Sequence, residues 1–115
     1  GLGHHCRMDQ DHLRDLFEGV APVTFRRMFG GHGIYRDGMI FAVVLRDQLM
    51  LKGDAEVAAD YEAAGMERWH YVGKRHGKTV AMPYWTAPES ALDDPDEMTV
   101  WARKAIDAAR RSGKV

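Results

Sequence analysis

Leu13, Leu16, Phe17 and Val20 recur at i, i+3, i+4 and i+7, one apolar stripe of a helix over residues 9–20. Acidic residues crowd its start, where the helix dipole favours them, and Gly19 and Pro22 close it. The period then shortens to two. Over residues 23–29, Val23, Phe25 and Arg27 point one way and Thr24, Arg26 and Met28 the other, which predicts a strand. A glycine-rich break at 30–33 leads to a second strand beginning at Ile34 and Tyr35. Asp37-Gly38 then reads as a tight hairpin, because both central residues of a type I′ turn need positive φ.

Met39–Leu45 is apolar at every position. A strand alternates its faces, so this one must bury both: Ile40, Ala42 and Val44 on one side, Phe41, Val43 and Leu45 on the other. Helices can cover one face. The other needs either a partner chain, which predicts self-association, or a second layer of the same chain. After a turn at Arg46-Asp47-Gln48, residues 49–52 make a fourth short strand, and Asp54 caps a helix to residue 64 that Gly65 closes. Residues 69–74 and 78–85 read as a hairpin with Val80, Met82 and Tyr84 on one face, and Pro83 marks an edge or a strand end. A loop over 87–94 includes a helical turn after Pro88. The last helix is capped by Asp94, opens on Pro95, Asp96 and Glu97, faces Met98, Trp101, Ala102, Ala105 and Ile106 inward, and ends at Ser112-Gly113 with basic residues in its last turns. Single helices between runs of hairpin-linked strands predict an α+β fold: an antiparallel sheet with helices on one face, in the order α-β4-α-β2-α.

The chain of 115 residues is the size of one domain, and an apolar fraction of 45% suffices for one core without disulfides or metal. A net charge of −1 argues against strong nonspecific nucleic-acid binding, which draws on a basic excess. The single Cys6 allows no internal disulfide, which fits a reducing, cytoplasmic setting. No apolar run reaches membrane-spanning length, so no membrane partner is expected. GLGHHCR precedes Met8 and reads as residue left by expression or cleavage, so one domain is expected over residues 8–115 and residues 1–7 are set aside.

Candidate chemistry is sparse. Gly30, Gly31, His32 and Gly33 could form a ligand-binding turn, but no helix follows to aim amides at an anion, and a bulge or tight bend is the simpler account. Arg26 and Arg27 project to opposite faces. An internal ion pair with a carboxylate such as Glu18 or Asp37 competes there with a phosphate contact, and is favoured. Lys74, Arg75 and Lys78 surround His76 at a hairpin tip near Trp69, Tyr71, Tyr84 and Trp85, a combination that can hold single-stranded nucleic acid; a solvated turn is the plainer reading. Arg103, Lys104, Arg110 and Arg111 read as a polar helix face. His70 and His76 lack the further ligands a zinc site needs, so no metal or cofactor is expected. No nucleophile with its base is visible, and no catalytic residue is assigned.

RRMFGGHGIY, the DG hairpin with its apolar strand, LMLKGD, GKTVAMPYW, DDPDE and WARKAIDAAR together resemble the N-terminal domain of the TfoX/Sxy family over residues 9–109. The most specific part is Met28-Phe29-Gly30-Gly31 with Gly33-Ile34-Tyr35. The resemblance implies a two-layer sandwich like that of secretion chaperones, and homodimers. It also implies a non-enzymatic role as co-activator of natural DNA uptake, working with a cAMP-receptor-type transcription factor or RNA polymerase. Full-length regulators of the family carry a second, C-terminal helical domain, and this sequence stops at Val115. Direct nucleic-acid binding at the hairpin tip and ligand binding or catalysis at the glycine turn stand as alternatives.

Overall fold

The computed structural model describes residues 9–28 and 30–112. The expectations placed on residues 1–8 with Cys6, on Phe29 and on Gly113 fall outside that set. The first helix, α1 (Gln10–Leu16), starts where Asp9 accepts a hydrogen bond from the His12 amide at 2.9 Å, and it tightens into a 3-10 turn at Glu18–Val20 rather than continuing as α-helix. Four strands follow: β1 (Thr24–Met28), β2 (Gly31–Arg36), β3 (Met39–Leu45) and β4 (Gln48–Lys52). Helix α2 (Ala58–Ala63) is shorter than the pattern predicts. Asp54 spends its carboxylate on the Glu56 and Val57 amides of a preceding turn, so the helix proper begins later. Strands β5 (Arg68–Val72) and β6 (Thr79–Thr86) form the second hairpin, and α3 (Pro95–Ser112) closes the chain after a 3-10 turn at Glu89–Ala91.

The six strands form one antiparallel sheet in the order β1-β2-β3-β4-β6-β5. The predicted α+β class and element order are those observed. Asp37 and Gly38 hold φ of 55° and 80°, as the hairpin signal requires. Arg46 and Asp47 turn the next hairpin with φ of 52° and 64°.

One face of the sheet carries the main core. Leu13, Leu16 and Phe17 of the first helical segment and Met98, Ala102, Ala105 and Ile106 of α3 pack on Ile34, Val44, Leu49, Leu51 and Trp85. The small residues on α3 let its axis approach the strands closely. Tyr61 of α2 donates its hydroxyl to the Lys52 carbonyl at 2.7 Å, and its ring meets Trp85 edge-on.

The faces of β3 differ from strict alternation. The β2–β3 register steps from Ile34↔Ala42 to Tyr35↔Ile40, which leaves Phe41 as the extra residue of a bulge. Phe41 and Ala42 therefore both face the helices, and the Phe41 ring stands 5.4 Å from that of Phe17 at 89°. Only Ile40, Val43 and Leu45 remain for the other side. The glycines make the tight bend that was one of their two expected forms, with Gly30 in the β1–β2 turn, and the bulge lies in the middle of the β2–β3 pair. Pro83, expected at an edge or a strand end, sits inside β6, an interior strand. There the β5–β6 register shifts between Arg68 and His70, so the missing amide interrupts no regular ladder, and Arg68 Nε donates to the Met82 carbonyl at 2.8 Å.

Candidate functional site

The face of the sheet away from the helices carries a second apolar cluster, built from strand residues alone. Val43, Met50 and Tyr84 are buried at its centre, with Met28, Ile40, Leu45, Trp69 and Met82 partly buried around them. No second layer of this chain covers it among the described residues. The central side chains are hidden by their neighbours in the same sheet: Trp69 lies 6.4 Å from Tyr84 and 6.5 Å from Tyr71, a residue that is 46% exposed. Two cations border the patch. The Lys52 ammonium lies 5.7 Å from the Tyr84 ring centroid, and the Arg26 guanidinium 5.5 Å from that of Tyr35. Burial pushes the Tyr84 hydroxyl up to about 12, and the nearby Tyr35 adds to the shift. Methionine, tyrosine and tryptophan with an arginine at the border is the composition that protein interfaces favour.

The residues singled out in the sequence do not form one site. Arg26 belongs to this open face. Arg27 points to the other side, where with Met28, Gly30, Gly31 and His32 it lines a shallow recess at the sheet edge. Among the described residues neither arginine pairs with a carboxylate, so the predicted ion pair with Glu18 or Asp37 is absent; Asp37 lies 3.6 Å from Arg36 instead. Gly30 takes φ of 80° in the β1–β2 turn. Gly31 and Gly33 are glycines for space: a Cβ on Gly31 would strike the Val44 carbonyl oxygen, and one on Gly33 would meet Ile40 Cδ1 at 2.9 Å. Lys74, Arg75 and Lys78 lie at the β5–β6 tip, near the opposite edge of the sheet, where Gly77 turns the chain with φ of 65°. Trp85, grouped with that tip in the sequence, faces the helices and donates to Glu62.

The C-terminal basic residues divide. Arg111 holds Asp54 at 2.7 Å, and that contact chiefly keeps the Asp54 carboxyl below its ordinary range; Lys104 reaches Asp60 at 3.1 Å. Arg103 and Arg110 turn toward the end of β2 instead, beside Arg36. Among the described residues no three His, Cys, Asp or Glu side chains gather as metal ligands, and no helix is long and apolar enough to cross a membrane.

The family model of the TfoX N-terminal domain matches residues 15–109, which include the whole sheet and most of α3. The chain belongs to the TfoX N-terminal domain family. It is 31% identical over 107 residues to the DNA transformation protein TfoX1 of Aliivibrio fischeri (strain ATCC 700601 / ES114), an alignment covering 90% of this chain and 50% of that protein. The chain thus spans about half the length of the curated relative it matches. On this TfoX N-terminal domain, the motif Met28 to Tyr35 builds the β1–β2 hairpin, whose open-face side chains include Met28 and Tyr35.

Proposed function

We propose that this TfoX N-terminal domain is a non-enzymatic regulatory module of natural transformation. It acts in the cytoplasm as a homodimer whose open sheet faces meet, and it works through contact with a transcription factor or RNA polymerase. The observation that carries the reading is the one-layer apolar face centred on Val43, Met50 and Tyr84. Six strands about 4.8 Å apart and about 17–26 Å long present about 500–700 Å² in projection, close to the roughly 800 Å² that each partner gives to a standard interface. A second copy is the occupant best matched in size and composition. The regulatory role rests on family membership and on the likeness to a protein named for DNA transformation.

The test replaces Ile40 and Leu45, both partly exposed, with lysine at the chromosomal locus. Transformation frequency and competence-gene transcripts should fall by about tenfold or more, the loss expected when about 1.4 kcal/mol or more of contact energy is removed. Unchanged transformation with normal protein levels would refute the reading. Affinity capture should recover polymerase or a DNA-bound regulator from wild-type cells, and capture of neither would count against the transcriptional part.

The hairpin tip supports a second reading. Tyr71, Lys74, Arg75 and His76 line an open recess of about 500 Å³, able to stack a base and hold its phosphate. Single-stranded DNA or RNA titrated at low salt should then bind and be released as salt rises. Absence of binding at low salt removes this reading.

A further inference from the structure

We propose that the recess between α3 and the end of β2 binds a small phosphate monoester. It is an open cavity of about 370 Å³, within the range of small-molecule sites, and Arg36, Arg103 and Arg110 all line it. Arg103 and Arg110 are seven residues apart on α3 and so share a face. Arg36 arrives from β2, anchored by one Nη1–H donated to the Val20 carbonyl at 2.9 Å. Its Nε–H is buried and makes no hydrogen bond; an Asp37 carboxylate oxygen stands 3.6 Å away. Arg103 has no hydrogen-bond or ion-pair partner among the described residues. Asp107 is the only carboxylate in the lining, and it makes one long contact, 3.5 Å, to Arg110.

The rest of α3 shows that this arrangement is selective. On the side facing α2, Lys104 and Arg111 are each neutralised by Asp54, Glu56 or Asp60. On the recess side Asp107 is the only carboxylate in a lining that includes three arginines, and Asp37 stands 3.6 Å from Arg36. The three cations outnumber these two carboxylates, and a bound dianion answers the excess. Guanidinium forks match the oxygens of carboxylate and phosphate alike two at a time, and the two negative charges of a phosphate monoester answer more of the three cations than a single carboxylate does. Val20 and Ile106 give the recess an apolar wall for the organic part of the ligand, and Asp107 can accept a hydrogen bond from a ligand hydroxyl. A recess on a chain of net charge −1 suits a small ester better than a nucleic-acid backbone, which is gripped along an extended basic surface.

Calorimetric titration of the full chain at fixed ionic strength tests this, with inorganic phosphate, glycerol phosphate, glycerol and a short duplex DNA as probes. Glycerol phosphate should bind, more tightly than inorganic phosphate, and glycerol should not. Arg103→Gln and Arg110→Gln lie at exposed positions, so thermal unfolding should be unchanged, and each should weaken binding by about tenfold or more as charge-assisted hydrogen bonds are lost. Lys104→Gln, on the face of α3 turned to α2 and paired with Asp60, should leave binding as it is. No binding of either phosphate, binding indifferent to Arg103 and Arg110, or tighter binding of duplex DNA through the same arginines would each overturn the proposal.

Discussion

Replacing Phe17 and Phe41 with leucine, singly and together, tests the bulge that decides which way β3 faces. Both rings are fully buried, with centroids 5.4 Å apart and planes at 89°. Leucine keeps most of the core volume, so each single change should cost about 1–1.5 kcal/mol. The edge-to-face contact adds about 0.5–1.5 kcal/mol beyond the area it buries. Either single change already forfeits that contact, so the double variant should cost less than the sum of the two by the same amount. A domain of this size carries roughly 6–17 kcal/mol of stability, so all the variants stay folded. Urea unfolding read by circular dichroism has a slope of about 1–3 kcal/mol per molar, which turns each single cost into a midpoint shift of about 0.3–1.5 M. The same cycle with Val43→Ala in place of Phe41→Leu is the control. Val43 lies on the opposite face, so its cost should add to that of Phe17→Leu within about 0.5 kcal/mol. Additive behaviour for Phe17 with Phe41, together with coupling between Phe17 and Val43, would refute the bulge and restore strict alternation.

Three further outcomes follow from the same geometry. Gly31→Ala should destabilise the fold by about 1–3 kcal/mol in urea titration, because its Cβ meets the backbone carbonyl of Val44, which cannot swing aside; a neutral result would mean the β2–β3 pair sits further apart. Stability should fall as pH rises from about 10 to about 12. The Tyr84 hydroxyl ionises near 10 in the unfolded chain but only at about 12 when folded, and retaining that proton costs up to about 2–3 kcal/mol. Tyr84→Phe should make that part of the profile shallower, the remaining slope coming from Tyr61, whose hydroxyl burial also raises, and an unchanged slope would show that Tyr84 is not desolvated. The Asp54–Arg111 pair acts in the acid range: its contribution is complete above the ordinary Asp54 value of 3.8 and disappears as pH falls through the lowered folded value. Asp54→Asn should remove that acid-side loss, and acid titration that leaves the two proteins parallel would contradict the pairing.

Periodicity carried the architecture because the signals were local. Asp37-Gly38 sets its own turn, and Asp94 caps α3 from two and three residues away, accepting from the Asp96 and Glu97 amides. The bulge at Phe41 was hidden for a specific reason. In Met39–Leu45 every residue is apolar, so shifting the alternation by one position leaves no polar residue misplaced, and the sequence cannot report the change of phase. For the same reason it pointed to two apolar faces without saying how much of the second face the sheet's own side chains would hide. Arg36, Arg103 and Arg110 were missed because their sharing one recess depends on how α3 lies across the sheet. The spacing of Arg103 and Arg110 is visible in the chain; the arrival of Arg36 is not. Conversely, Arg27 and Lys74 are near neighbours of suggestive residues in sequence but lie toward opposite edges of the sheet.

Sedimentation equilibrium of the chain and of its Ile40→Lys, Leu45→Lys variant addresses the pairing of open faces most directly. Paired open faces give twice the chain mass of 13.0 kDa for the wild type at micromolar concentration, and the single-chain mass for the variant with its circular dichroism unchanged. A wild type that stays at the single-chain mass as concentration rises, or a dimer that the two lysines leave intact, would contradict that pairing.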